Sequence, residues 1–155
     1  MRRPIKKKIV LEPDLNFQSL LVAKMINRIM QEGKKAIATR IVYNALAILE
    51  EKTKKPALEA LDIAIMNAGP NMELKSRRIG GANYQVPIEV KPERKNALAI
   101  RWMIDAARSA KGKPMEQKLS EELINAFNNT GGAVKKKLDT HRMADANKAF
   151  AHFAW

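Results

Sequence analysis

Three arginines, Arg94, Arg101 and Arg108, stand seven residues apart in the stretch 92-PERKNALAIRWMIDAAR-108. Seven residues make two helical turns, so on a helix these side chains form one slowly drifting stripe. Guanidiniums about 10 Å apart can each meet a different phosphate. Lys91 and Lys95 lie at the start of the same stripe. Just upstream, 73-ELKSRRIGGANYQVPIEVKPERK-95 places Lys75, Arg77 and Arg78 on one arm of a possible hairpin. Lys34 and Lys35 follow Gly33 at a predicted helix start, where positive charge opposes the helix dipole and hints at a bound anion. Arg2, Arg3, Lys6, Lys7 and Lys8 all precede the first acid, Glu12. The chemistry these patterns suit is multivalent contact with a polyanion.

Patterns for covalent chemistry are lacking. Neither HExxH, GxSxG nor GxxxxGK[ST] occurs. With no cysteine there is no disulfide, thiolate ligand or thiol nucleophile. His141 and His152 are eleven apart and could share a helix face, but no acidic cluster of ligand spacing surrounds them. His141 and Asp145 read as an i,i+4 contact on a helix surface. The sequence supports neither catalysis nor a metal or cofactor.

Composition agrees. The 155 residues carry 29 Lys and Arg against 16 Asp and Glu, a net charge of +13. Such an excess repels itself in the folded state, which favours a polyanionic partner over a merely soluble basic protein. Hydrophobic residues at 46% provide a real core. Aromatics at 5%, without interleaved basic residues, give no single-strand stacking platform. A folded, helical nucleic acid read through phosphates and shape fits better. A DNA-bending protein with a β-arm is the alternative, and there Ile79 is the one candidate apolar wedge at the tip. No apolar run reaches the roughly 20 residues of a membrane span. The basic start, 1-MRRPIKKKIVLEPD-14, lacks the apolar stretch and cleavage site of a secretory signal, so the expected location is the cytosol.

The elements that must position these cations follow from periodicity. Residues 1–16, with Pro4 and Pro13, read as a basic extended arm that stays mobile until it meets an anion. Apolar residues at three and four predict a helix from Phe17 to Met30, stopped by Gly33. A second runs from about Lys35 to Lys52 and buries Ile37, Ile41, Val42, Ala45, Ile48 and Leu49. A third spans Ala57 to Ala68, with Leu58, Leu61, Ile65 and Met66 inward. Alternation of Tyr84, Val86, Ile88 and Val90 marks a strand, and residues 72–90 read as a hairpin. A lone hairpin is marginal in water, so its outer part needs support. A positively charged edge also deters aggregation, but the total charge favours a ligand-facing arm. A fourth helix follows Pro92, packing Leu98, Ile100, Met103, Ile104 and Ala107. A fifth starts near Pro114 with Leu119, Leu123, Ile124 and Phe127, and Gly131-Gly132 breaks it. A sixth runs from about Ala133 toward Phe150. The expected fold is mainly α and a single domain over 1–155. It is a six-helix, bundle-like body with one protruding hairpin between helices three and four.

The blocks 33-GKKAIATRIVYNAL-46, 67-NAGPNMELKSRRIGGANYQVPIEVKPERKNALAIRW-102 and 141-HRMADANKAFAHFAW-155 resemble the bacterial-type small-subunit ribosomal protein seven family. The RR-x-GG-x-x-YQVP and HRMA-x-ANKAFAH stretches are highly specific, and the resemblance spans nearly the whole chain. It implies a structural constituent of the small subunit that binds the 3′ major (head) domain of 16S-type rRNA and nucleates head assembly. The hairpin would lie by exit-site tRNA and the mRNA exit channel, with head and platform ribosomal proteins as neighbours and no membrane partner. By the same resemblance Arg2, Arg3, Lys6, Lys7 and Lys8 form an RNA-binding arm. Lys34, Lys35, Lys75, Arg77, Arg78, Lys91, Arg94, Lys95, Arg101 and Arg108 supply the main rRNA surface. Met115, Lys135 and Lys136 are secondary contacts, and Arg78, Gly80, Gly81, Asn83 and Tyr84 form the part near tRNA and mRNA. Two departures stand out: Ala154 sits where relatives carry Arg before the final Trp, and 109-SAKGK-113 is less basic than the family pattern. The residues do not separate a bacterial cytoplasmic ribosome from a plastid one.

Overall fold

The structure, a computed structural model, describes residues 11–153. Arg2, Arg3, Lys6, Lys7, Lys8 and Ala154 therefore lie outside the described residues. The elements in order are α1 (Leu20–Ile29), α2 (Lys35–Thr53), α3 (Ala57–Ala68), β1 (Met72–Ile79), β2 (Ala82–Glu89), α4 (Pro92–Ser109), α5 (Met115–Phe127) and α6 (Gly131–Ala146). A 3₁₀ turn, Lys148–Phe153, ends the described chain. Six helices with one antiparallel hairpin after the third is the architecture that the periodicity predicts.

α3 and α5 form the centre. Each packs on the other and on α2, α4 and α6. Their buried faces repeat at three and four: Ala57, Ala60, Leu61, Ala64, Ile65 and Ala68 on α3, and Leu119, Leu123 and Ala126 on α5. Alanine at so many core positions lets backbones approach closely, while Met25, Leu46, Leu49, Leu61, Met103 and Ile104 fill the space between. Truncating one of these, such as Leu61→Ala, would cost about 2–5 kcal/mol.

No helix start carries a local side-chain cap hydrogen bond. Several helix ends are instead satisfied from another helix. The Glu122 carboxylate on α5 accepts the Ala133 N–H at 2.8 Å, in the first turn of α6. The Arg108 guanidinium on α4 donates to the carbonyls of Arg28 and Ile29, at 3.2 and 3.3 Å, at the end of α1. Asn67 on α3 donates to the carbonyls of Ala126 and Phe127 at the end of α5. Unpaired terminal groups are costly when buried, so this exchange locks the helices to one another. Gly131 and Gly132 belong to it. A Cβ at Gly132 would stand 2.9 Å from Ala106 Cβ, and one at Gly131 would crowd Asn125 and Glu122.

Some boundaries and faces differ from the sequence expectation, for identifiable reasons. Residues 15–17 form a turn rather than arm or helix, because the Asp14 carboxylate accepts the N–H groups of Asn16 and Phe17. Asp14 also accepts the Tyr43 hydroxyl at 2.9 Å, and Phe17 packs edge-on against Tyr43, so this part of the expected arm is docked. α6 stops at Ala146, where the Asn147 side chain bonds back to the Met143 carbonyl and the chain tightens into the 3₁₀ turn. His152 consequently sits past the helix rather than sharing a face with His141. Ile37 and Met66, both expected inside, are 48% and 70% exposed. Met66 is one residue off the three-and-four face of α3.

Candidate nucleic-acid interface

The hairpin is a two-stranded ladder from Met72↔Glu89 to Ile79↔Ala82. Gly80 and Gly81, at φ +57° and +89°, form its two-residue turn. A Cβ at either would meet nothing within 4 Å. Left-handed backbone, not crowding, therefore selects glycine here. Directly paired residues share a face, and the register separates the cations. Lys75 and Arg77 lie on the face of Val86 and Tyr84, whereas Arg78 and Asn83 lie on the other. The three basic residues of this arm do not form one stripe.

The hairpin is braced along its length. Pro70 and Val86 are fully buried and Pro87 is buried at its root, and α6 packs on both strands. Farther out, the Tyr84 ring lies 5.1 Å from that of Phe150 and 5.8 Å from that of Phe153. The 3₁₀ turn thus supplies the support that a lone hairpin lacks. At the root the Asn71 N–H donates to His141 Nε2 at 3.0 Å, and Lys95 Nζ donates to Asn71 Oδ1 at 2.8 Å. The Lys95 stem crosses Gly69, where a Cβ would sit 2.8 Å from it. Arg94 pairs with Glu73 at 3.3 Å. His141 is therefore an anchor of the hairpin loop rather than a simple partner of Asp145.

The electrostatics of this root follow from its geometry. Burial lowers the Lys137 pKa, with Lys95 adding to the effect. Burial likewise lowers that of His141; Lys137 and Lys95 push the same way and Asp145 opposes them. A neutral imidazole keeps Nε2 free to accept from Asn71. At the other end of the body, burial and then the Asp14 carboxylate raise the Tyr43 hydroxyl pKa.

Among the described residues Arg77 is half-buried, and the other predicted surface cations divide into two groups. Arg94, Lys95 and Arg108 are exposed or half-exposed but have the internal partners above, and Lys34 pairs with Glu32 at 2.6 Å. Lys35, Lys75, Arg78, Lys91, Arg101, Lys135 and Lys136 are exposed, and their side chains make no hydrogen bond or ion pair among the described residues. Asn83 is exposed beside the tip and Met115 is half-buried. A shallow groove between α1, α2, α4 and α5 brings Lys34, Arg108 and Met115 around Ile37 and Ile41. A second groove, between α4 and α6, joins Arg101 to Lys136, with Trp102 in its wall. Sequence reasoning missed Trp102, whose only signal was its place next to Arg101. Among the described residues no group of three His, Asp or Glu could hold a metal, and no helix is long and apolar enough to cross a membrane.

The described chain is a basic, mainly helical scaffold with a braced β-arm, and it presents exposed cations whose side chains have no partner among the described residues. The chain belongs to the ribosomal protein S7p/S5e family, whose sequence profile matches residues 1–148. Its similarity to curated relatives runs end to end. It is 59% identical over 155 residues, covering 100% of both chains, to the small ribosomal subunit protein uS7 of Thermosipho africanus. It is 56% identical over 155 residues, again 100% of both, to that of Thermotoga maritima. With the Thermosipho melanesiensis protein of the same name it shares 62% over 143 residues, 92% of each chain.

Proposed function

We propose that this chain binds the head domain of small-subunit rRNA and nucleates assembly there, with its hairpin beside exit-site tRNA and the mRNA exit channel. Family membership makes it a structural protein of the small ribosomal subunit, acting in translation in the bacterial cytoplasmic ribosome. The finer reading rests on the cations without internal partners. Lys75 and Arg78 on the hairpin, Arg101 on α4, and Lys135 and Lys136 on α6 sit on elements that pack together. These side chains do no work within the described fold, and helix faces carrying them suit the phosphates of a folded RNA. The basic residues of the first ten extend the same charge. The role is structural rather than catalytic, with head and platform ribosomal proteins as further neighbours.

Competition tests this reading. A structured head-domain rRNA fragment should displace labelled rRNA from the protein far better than duplex DNA of equal length. If about six phosphates are contacted, affinity should fall by at least two decades between low and moderate salt. Equal competition by duplex DNA would favour an architectural DNA-binding role, and a flat salt dependence would defeat the phosphate contacts.

A further inference from the structure

Among the described aromatic side chains, Trp102 is unusual in having no ring or cation partner. Phe17 packs on Tyr43, Tyr84 on Phe150 and Phe153, and Phe127 lies under Lys55. The Trp102 indole rests partly on the core, and its N–H donates to no group among the described residues. No buried polar side-chain atom is left unsatisfied, so this N–H reaches solvent. The indole lines the groove between α4 and α6 together with Arg101 and Lys136. Both cations are exposed without internal partners. Gly132 lets α6 approach Ala106 of α4 at the groove, and Asp105, 4.0 Å from Arg28, is the one acid in the lining. A partly exposed indole that shares a groove with two cations complements a planar ring joined to anions.

We propose that this groove takes one unpaired nucleotide of RNA, its base against the Trp102 indole and its flanking phosphates on Arg101 and Lys136. The inference rests on the RNA-binding reading above and deepens it. Indole–base stacking tolerates any base, so the site anchors an RNA strand without selecting its sequence. Duplex RNA keeps its bases stacked inside and offers the groove phosphate alone.

The test uses the full chain with Trp155→Phe, which leaves Trp102 as the single indole. It is titrated with a uridine decamer, with a ribose-phosphate decamer of equal charge lacking bases, and with the structured head-domain fragment. Quenching of the indole by the structured fragment, and by the uridine decamer more than by the baseless one, is the expected result. Trp102→Leu should weaken binding of the structured fragment by about tenfold, the scale of one lost stack, with helical circular dichroism unchanged. Should Trp102→Leu unfold, Trp102→Phe carries the comparison, with affinity for the structured fragment a few-fold below that of the parent. Binding of the structured fragment without any change in indole emission would overturn the groove alone. Equal quenching by the baseless decamer would overturn base stacking. No binding of the structured fragment would instead overturn the rRNA reading.

Discussion

Lys137 Nζ donates to the Asn67 carbonyl at 2.8 Å, and the Asn67 amide passes the connection on to the last carbonyls of α5. One polar chain thus runs from α6 through the end of α3 to the end of α5, across the centre of the fold. It places a cation where a helix C-terminus attracts it, which offsets the burial that lowers the Lys137 pKa. A strongly basic protein here uses part of its charge as internal mortar.

Asn67→Ala tests this chain directly. It leaves the Phe127 carbonyl without a partner in a part-buried site, while the Ala126 carbonyl keeps the Asn129 N–H, at a cost of about 1–2 kcal/mol. For a domain of this length Tm should fall by about 3–6 °C. Asn128→Ala, at an exposed side chain with no hydrogen bond among the described residues, should leave Tm unchanged. Equal Tm values for the two variants would show that α5 does not depend on Asn67.

The His141–Asn71 contact gives the hairpin root a pH dependence. The folded-state pKa of His141 lies below its ordinary value of 6.5, so the unfolded chain takes up the proton first as pH falls. Stability from this group is complete above about pH 6.5 and is lost between there and the lower folded value. Protonation puts a donor where the Asn71 N–H needs an acceptor. Urea unfolding at pH 7.5 and 5.5 should show a loss on acidification that shrinks in His141→Leu. An unchanged difference would assign the acid sensitivity to other groups.

Arg101 and Arg108 are one heptad apart on the same stripe, yet among the described residues only the Arg108 side chain has a partner. Arg101→Ala should therefore leave Tm within about 2 °C, weaken RNA binding across sequences and lower the salt slope by about one. Arg108→Ala removes donors from two carbonyls at the end of α1 and should lower Tm by about 3–6 °C. Reversed outcomes would mean that the two arginines have exchanged roles.

That distinction also marks what the sequence conveyed. The heptad spacing placed Arg94, Arg101 and Arg108 on an exposed face, and the periodicity located all six helices. α3, expected from about Ala57 to Ala68, was closely legible because Gly69-Pro70 ends it. The partners were not legible. Asn71 and His141 are 70 positions apart, and no local pattern announces that one serves the other. The same distance hid the cross-helix caps, Lys137 on Asn67 and Glu122 on Ala133. The alanine-rich core was undervalued for a different reason. Alanine is a weak hydrophobe, and its contribution through close helix approach appears only once neighbours are in place. Strand alternation itself implied that Arg77 and Arg78 face opposite ways, but the register was needed to say which faced Tyr84.

The hairpin carries the last prediction, because its brace stops short of its tip. Tyr84, paired with Arg77, is the outermost residue of β2 with a ring contact to the 3₁₀ turn. Beyond it lie Arg78, Ile79, the glycine turn, Ala82 and Asn83. Replacing Arg78 to Asn83 with Gly-Gly moves the turn from Ile79↔Ala82 to Arg77↔Tyr84, two rungs down the ladder. Rungs alternate in type, so a shift of two keeps the kind of pair that flanks the turn. All contacts of Tyr84, Val86 and the root remain, and Tm should stay within about 2 °C of the parent. Loss of one exposed cation, Arg78, should lower the salt slope of rRNA binding by at most about one. Subunits reconstituted with this variant should assemble, and the damage should appear as altered retention of exit-site tRNA or weaker reading-frame maintenance. Tyr84→Ala is the contrasting change, since it removes the brace while keeping the tip. Hydrogen exchange should then rise in the outer rungs but not near Val86, which the body buries. If the shortened hairpin blocks assembly, the tip is an rRNA anchor; if translation is normal, the tip has no part at the exit site.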